Sequence, residues 1–106
     1  MTQMNQDTSE PTLPKWLELT DDGVTVTLAY KANISSVLVD KVTMRAPSVR
    51  DMEAAKAAGG GEYDKMEKNL FCSLIMATET DLAALKIKDY NRLQAGYFRL
   101  VEEDDV

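Results

Sequence analysis

The 106-residue chain has no histidine and one cysteine, Cys72. The first lack removes the commonest general base and metal ligand, and the second excludes an intramolecular disulfide. With no histidine to activate it, Cys72 is better explained as a small buried hydrophobe in a reducing setting than as a nucleophile. Basic charge is also scarce, with twelve Lys and Arg against eighteen Asp and Glu for a net charge of -6. Six of the acids sit at the ends: Asp7 and Glu10 in the first fourteen residues, and Glu102, Glu103, Asp104 and Asp105 in the last five. Without them the body carries twelve acids and twelve bases. A neutral body between acidic ends cannot supply the positive field that a phosphate backbone requires, which argues against a nucleic-acid partner. There is no run of about 18 apolar residues to span a membrane. The opening MTQMNQDTSEPTLPK has neither a basic n-region nor an apolar h-region, so a soluble, unexported protein with no membrane partner is expected.

Catalytic constellations are missing as well. Asp21-Asp22 precede Gly23 in a turn-like setting, with no other polar group converging on them from the sequence. Gly59-Gly60-Gly61 lacks the following Lys-Ser/Thr of a phosphate-cradling loop. No enzyme activity, catalytic residue, cofactor or metal is expected.

What is present is architecture. In VTMRAPSVRDM, Val42 to Met52, an alternating strand pattern becomes a capped helix within one turn. Pro47 removes a ladder donor and pushes Ala46 out of helical space. Ser48 then serves as N-cap, with Asp51 as the carboxylate of a capping box. Upstream, VTVTLAY predicts a strand with Val24, Val26, Leu28 and Tyr30 on one face. A second extended run, Val37 to Met44, carries Leu38, Val42 and Met44 on a face interrupted by Asp40. A hairpin with a loop longer than two residues joins the two.

Downstream, an alanine-rich helix is predicted from Val49 to about Ala58, stopped by three glycines that suggest a hinge or a turn with real freedom. A second helix, about Glu62 to Ala77, carries Tyr63, Met66, Leu70, Leu74 and Ala77 on one stripe. Thr78 with Asp81 repeats the capping signal before a short helix through Leu82 and Leu85. Asp89 caps a last helix, Tyr90 to Val101, whose stripe is Tyr90, Leu93, Tyr97, Leu100 and Val101, with Phe98 on its flank. The expected fold is α+β, an N-terminal β-hairpin followed by three to four short helices packed as a small bundle. Residues 1–15 are expected to be a flexible arm, 16–101 a single domain, and 102–106 an acidic tail.

Three segments together, Met44-Arg45-Ala46-Pro47-Ser48-Val49-Arg50-Asp51, the cap and helix from Thr78 to Leu85, and the helix start Asp89 to Gln94, resemble the small tail assembly chaperones (E-protein type) of Mu-like and P2-like contractile-tailed phages and prophages. The likeness runs from about Val24 to Val101. The N-terminal arm with Trp16 and the glycine triplet depart from the usual compact form. The resemblance implies a non-enzymatic protein in the cytoplasm of the bacterial host. Such a protein binds the long, helical tape measure protein, keeps it soluble and helps tail tube subunits gather around it. It also implies that such genes commonly yield a longer frameshifted product.

A chaperone for a helical client needs accessible apolar surface. LFCSLIMA, Leu70 to Ala77, is apolar nearly all round, and this nominates Leu70, Phe71, Cys72, Leu74, Ile75 and Met76, with Phe98, as partner-binding residues. The same pattern fits a central helix wrapped on all sides, and wrapping by a second subunit, a homo-oligomer, satisfies both. Two other functions fit the composition: a structural tail or baseplate component retained in the virion, and an acidic regulator occluding a basic partner.

Overall fold

The computed structural model describes residues 13–103. Most of the expected arm and the last three residues of the expected acidic tail lie outside the described residues. The fold is α+β: a three-stranded antiparallel sheet followed by four helices. The strands are β1 (Leu17–Leu19), β2 (Gly23–Ile34) and β3 (Val37–Arg45), in the order β1-β2-β3. The helices are α1 (Val49–Gly59), α2 (Tyr63–Ile75), α3 (Glu79–Ala83) and α4 (Ile87–Val101). β1 adds a third strand to the expected hairpin, with Leu17 opposite Val26. Just before it, Leu13 and Trp16 pack against the core.

The junction after β3 forms as its residues dictate. Ser48 Oγ accepts from Asp51 N at 3.1 Å, and the Asp51 carboxylate accepts from Ser48 N at 2.8 Å. Arg45 closes the motif with a two-pronged bond to Asp51, at 2.6 and 3.0 Å. Thr78 and Asp81 build the second capping box at the start of α3.

The hairpin departs from expectation in two ways. Its loop is only two residues, Ser35-Ser36, both with left-handed φ (52° and 70°), as the right-handed twist of the flanking strands favours. Sequence patterns look for glycine or asparagine at such positions, so two serines hid the turn. The ladder is also distorted: β2 spends Leu28 to Lys31 where β3 spends only Asp40. This changes which β3 side chains face inward. Val39 takes the inner place, and Leu38 and Tyr30, both expected inside, are exposed.

Asp89 repairs that distortion. Its carboxylate accepts from Ala29 N at 2.6 Å and Tyr30 N at 3.0 Å, satisfying two strand donors that β3 does not reach. It is therefore not the cap of the last helix, which begins two residues earlier at Ile87 behind Lys86. α4 lies on β2 because Gly96 is small. A β-carbon there would sit 3.1 Å from Val24 Cγ2 and 3.4 Å from Val26 Cγ2, so the glycine is required by close helix–sheet approach. The glycine triplet is divided between two tasks. Gly59 lies against the Met66 backbone, while Gly60 and Gly61 turn the chain with positive φ, so α1 and α2 form a tight hairpin.

The core lies between the sheet and the helices. Val24, Val26, Leu28, Val42 and Met44 meet Leu70, Phe71, Leu74 and Ile75 of α2, with Leu82, Leu85 and Leu93 filling the remainder.

Candidate functional site

α2 is the hub. Phe71 is fully sealed, its ring 5.6 Å from that of Tyr90 and 5.5 Å from that of Tyr97, in tilted arrangements favoured by aromatic quadrupoles. Beside it the buried Glu67 carboxylate accepts from the Tyr90 hydroxyl at 2.6 Å, Gln94 Nε2 at 3.0 Å and, more weakly, the Tyr63 hydroxyl at 3.4 Å. Burial and the bond to Glu67 push the Tyr90 hydroxyl well above its ordinary pKa, so it stays a proton donor to that carboxylate. A carboxylate satisfied by three side chains can sit inside a small core.

The candidate partner-binding residues divide by burial. Leu70, Phe71, Leu74 and Ile75 are core residues of a single chain, covered on one side by the sheet and on the other by α4 and its tyrosines. Cys72 is half-buried, and burial followed by the charges of Glu79 and Asp81 pushes its thiol up, holding it in the unreactive protonated form. Met76 and Phe98 are exposed.

Met76 stands at a concentrated local distortion. Among the described residues only Ser35, Ser36 and Met76 are non-glycine residues with left-handed backbone, and all three belong to one cluster. Ser35 Oγ donates to the Met76 carbonyl at 2.8 Å. The Asp81 carboxylate accepts from Ser35 N at 3.0 Å and Thr78 N at 3.2 Å, bonds that hold its carboxyl below the ordinary range. One carboxylate thus ties the hairpin tip to the start of α3, while the serine hydroxyl ties it to the end of α2. Non-glycine left-handed residues cost about 1 kcal/mol each and persist only where surroundings enforce them. Here they carry the Met76 side chain out to 78% exposure. It borders a groove of about 360 Å³ whose floor is Ile34, Val39, Val42, Leu74 and Ile75 and whose rim includes Lys41 and Arg45. Val37 and Leu38, both exposed, continue the apolar character along β3, whose outer edge has no strand partner among the described residues.

A second cleft, of about 710 Å³, opens where α1 and α2 face α3 and the start of α4. Leu82, Leu85 and Tyr90 form its base, Ile87 its exposed apolar lip, and Lys65 and Lys68 its rim, with Glu79 the one acid in the lining. Among the described residues no three metal-binding side chains gather, and no helix is long and apolar enough to cross a membrane. Both clefts are apolar and charge-rimmed, a chemistry suited to holding another polypeptide.

The signals for Glu67 and Asp89 were in the sequence. Glu67 shares a helical face with Leu70, Phe71 and Leu74, and Asp89 shares one with Leu93 and Gly96, so each is an acid on a stripe that must be buried. The partners, contributed by segments far away in the chain, were not readable there.

No curated protein and no solved structure matches the chain. A family model described as "Phage tail assembly chaperone proteins, E, or 41 or 14" matches residues 25–102, which runs from β2 through α4 and takes in both capping boxes and both clefts. The chain belongs to this family of phage tail assembly chaperones.

Proposed function

We propose that this chaperone is non-enzymatic and binds the tape measure protein, receiving an apolar segment of it in the groove between β3 and the end of α2 so that the client stays soluble during tail assembly. The observation that carries the reading is Met76. A long, adaptable thioether is held outward by an unfavourable backbone conformation, beside an apolar groove and an unpaired strand edge. Nothing about the stability of the chain requires that residue to be exposed and apolar. The strand edge offers main-chain hydrogen bonds, and the groove accepts side chains without demanding one sequence.

Co-expression with the tape measure protein of the same phage tests this. The wild-type chain is expected to co-purify with the client and raise its soluble yield. Met76→Asp combined with Leu38→Asp is expected to abolish both effects while leaving the circular dichroism unchanged. Equal client solubility with and without the chain would overturn the reading. Mass spectrometry of purified virions separates it from a retained structural component, because an assembly factor is depleted from the finished particle.

A further inference from the structure

The two ends of α4 are charged against the helix dipole. Lys86 and Lys88 flank Ile87 at the N-terminus, where positive charge is disfavoured, and Glu102 and Glu103 follow Val101 at the C-terminus, where negative charge is disfavoured. Asp89, the one acid in the first turn, is turned into the sheet, and Arg99 is the one base in the last turn. Among the described residues, Lys68, Lys86 and Lys88 have no carboxylate within ion-pair distance, and Lys65 has only its helical neighbour Glu62, at 3.6 Å. Apolar surface divides in the same way. The N-terminal end offers a concave cleft with Ile87 77% exposed at its lip, while the C-terminal end projects Phe98 and Val101, 49% and 46% exposed.

We infer that a second copy of this chain docks the C-terminal end of its α4, led by Phe98 and Val101 with Glu102 and Glu103 beside them, into the lysine-rimmed cleft at the start of α4, so that copies associate head to tail. The cleft takes apolar side chains on Leu82, Leu85 and Ile87, Lys65 and Lys68 on its rim meet the acids that follow, and Lys86 and Lys88, the chain neighbours of Ile87, add positive charge beside it. A single chain cannot satisfy itself this way, because fifteen helical residues hold the two ends about 22 Å apart. The contact uses different surfaces on the two copies. It therefore leaves one free cleft and one free helix end on every pair, and growth proceeds to a ring or an open filament. This surface is separate from the groove beside Met76, so the inference holds whether or not that groove takes the client.

Sedimentation equilibrium of the full chain, without client, tests it. The wild type is expected to show concentration-dependent association beyond a dimer that weakens as salt rises. Lys86→Glu/Lys88→Glu and Glu102→Lys/Glu103→Lys are each expected to weaken association by about tenfold or more. Mixing the two variants, or placing all four reversals on one chain, is expected to restore it. Ile87→Asp is expected to prevent association with the fold intact by circular dichroism. A wild-type monomer at the highest attainable concentration would overturn the inference, as would association unaffected by these changes or reversals that fail to rescue one another.

Discussion

The middle of α2 and its C-terminal end lie one turn apart and obey opposite rules. Around Phe71 the ring is sealed and the buried acids have partners, with Glu67 held by its neighbours and Asp89 filling the gap in the sheet. Around Met76 the backbone sits in a disfavoured region at three residues, and Met76, Val37 and Leu38 point outward. The first region stabilises the fold; the second is held in place by it. On the proposed reading, surface that captures another chain cannot also be spent on the chain's own core, so a rigid centre supports an exposed rim.

The contrast can be broken most severely at its rigid end. Phe71→Ala is expected to cost about 3–5 kcal/mol, since a sealed phenylalanine leaves both a transfer loss and a cavity. Urea unfolding measures this, and a loss under 1 kcal/mol would mean that the tyrosines close over the gap. Asp89→Ala comes next, at about 3 kcal/mol, because hydrogen bonds to a charged group contribute roughly 1.5–3 kcal/mol and two strand donors lose theirs together. Hydrogen exchange sharpens the result, with faster exchange expected first at Ala29 and Tyr30.

At the hairpin tip the expected effect is smaller and depends on pH. The folded-state carboxyl of Asp81 is held below its ordinary value by the backbone donors of Ser35 and Thr78. Its stabilisation is therefore complete above the ordinary carboxylate pKa, about 3.9, and is lost as the pH falls through that value toward the lowered one. Asp81→Asn is expected to reduce stability at neutral pH and to flatten the acid limb of the stability profile. An unchanged acid limb would show that the tip is held by something else. The smallest effect has the opposite sign. Met76→Gly is expected to raise stability by up to about 1 kcal/mol, by removing the left-handed penalty on an exposed side chain, and on the proposed reading to weaken client capture. A stability loss would mean that the thioether packs more than its exposure indicates.

Local chemistry made much of this legible in the sequence. Both capping boxes, the strand-to-helix junction at Pro47 and the alternation of Val24, Val26 and Leu28 depend on residues within a few positions of one another, and each forms as read. What the sequence left open or hid falls where a distant segment decides. Leu70, Phe71, Leu74 and Ile75 looked too apolar to cover because periodicity counts apolar faces without showing what lies opposite them. The cover came from β3 on one side and from aromatic side chains on α4 on the other. Tyr30 and Leu38 were assigned inward because alternation assumes an undistorted ladder, and the four-against-one mismatch opposite Asp40 broke it. The last helix started early for a similar reason, its acid being drawn to β2 instead of to the helix end.

By itself the sequence determined the elements from β2 onward, their order and the two capping boxes, because these follow from backbone sterics and hydrogen bonds between near neighbours. The acid–base contrast between the chain's ends and its body was equally its own. Only the tertiary structure decided which apolar residues are sealed and which remain open. Burial depends on what packs from elsewhere in the chain, and the two-serine turn, the end of α2 and the start of α3 acquire their shared geometry only when they meet.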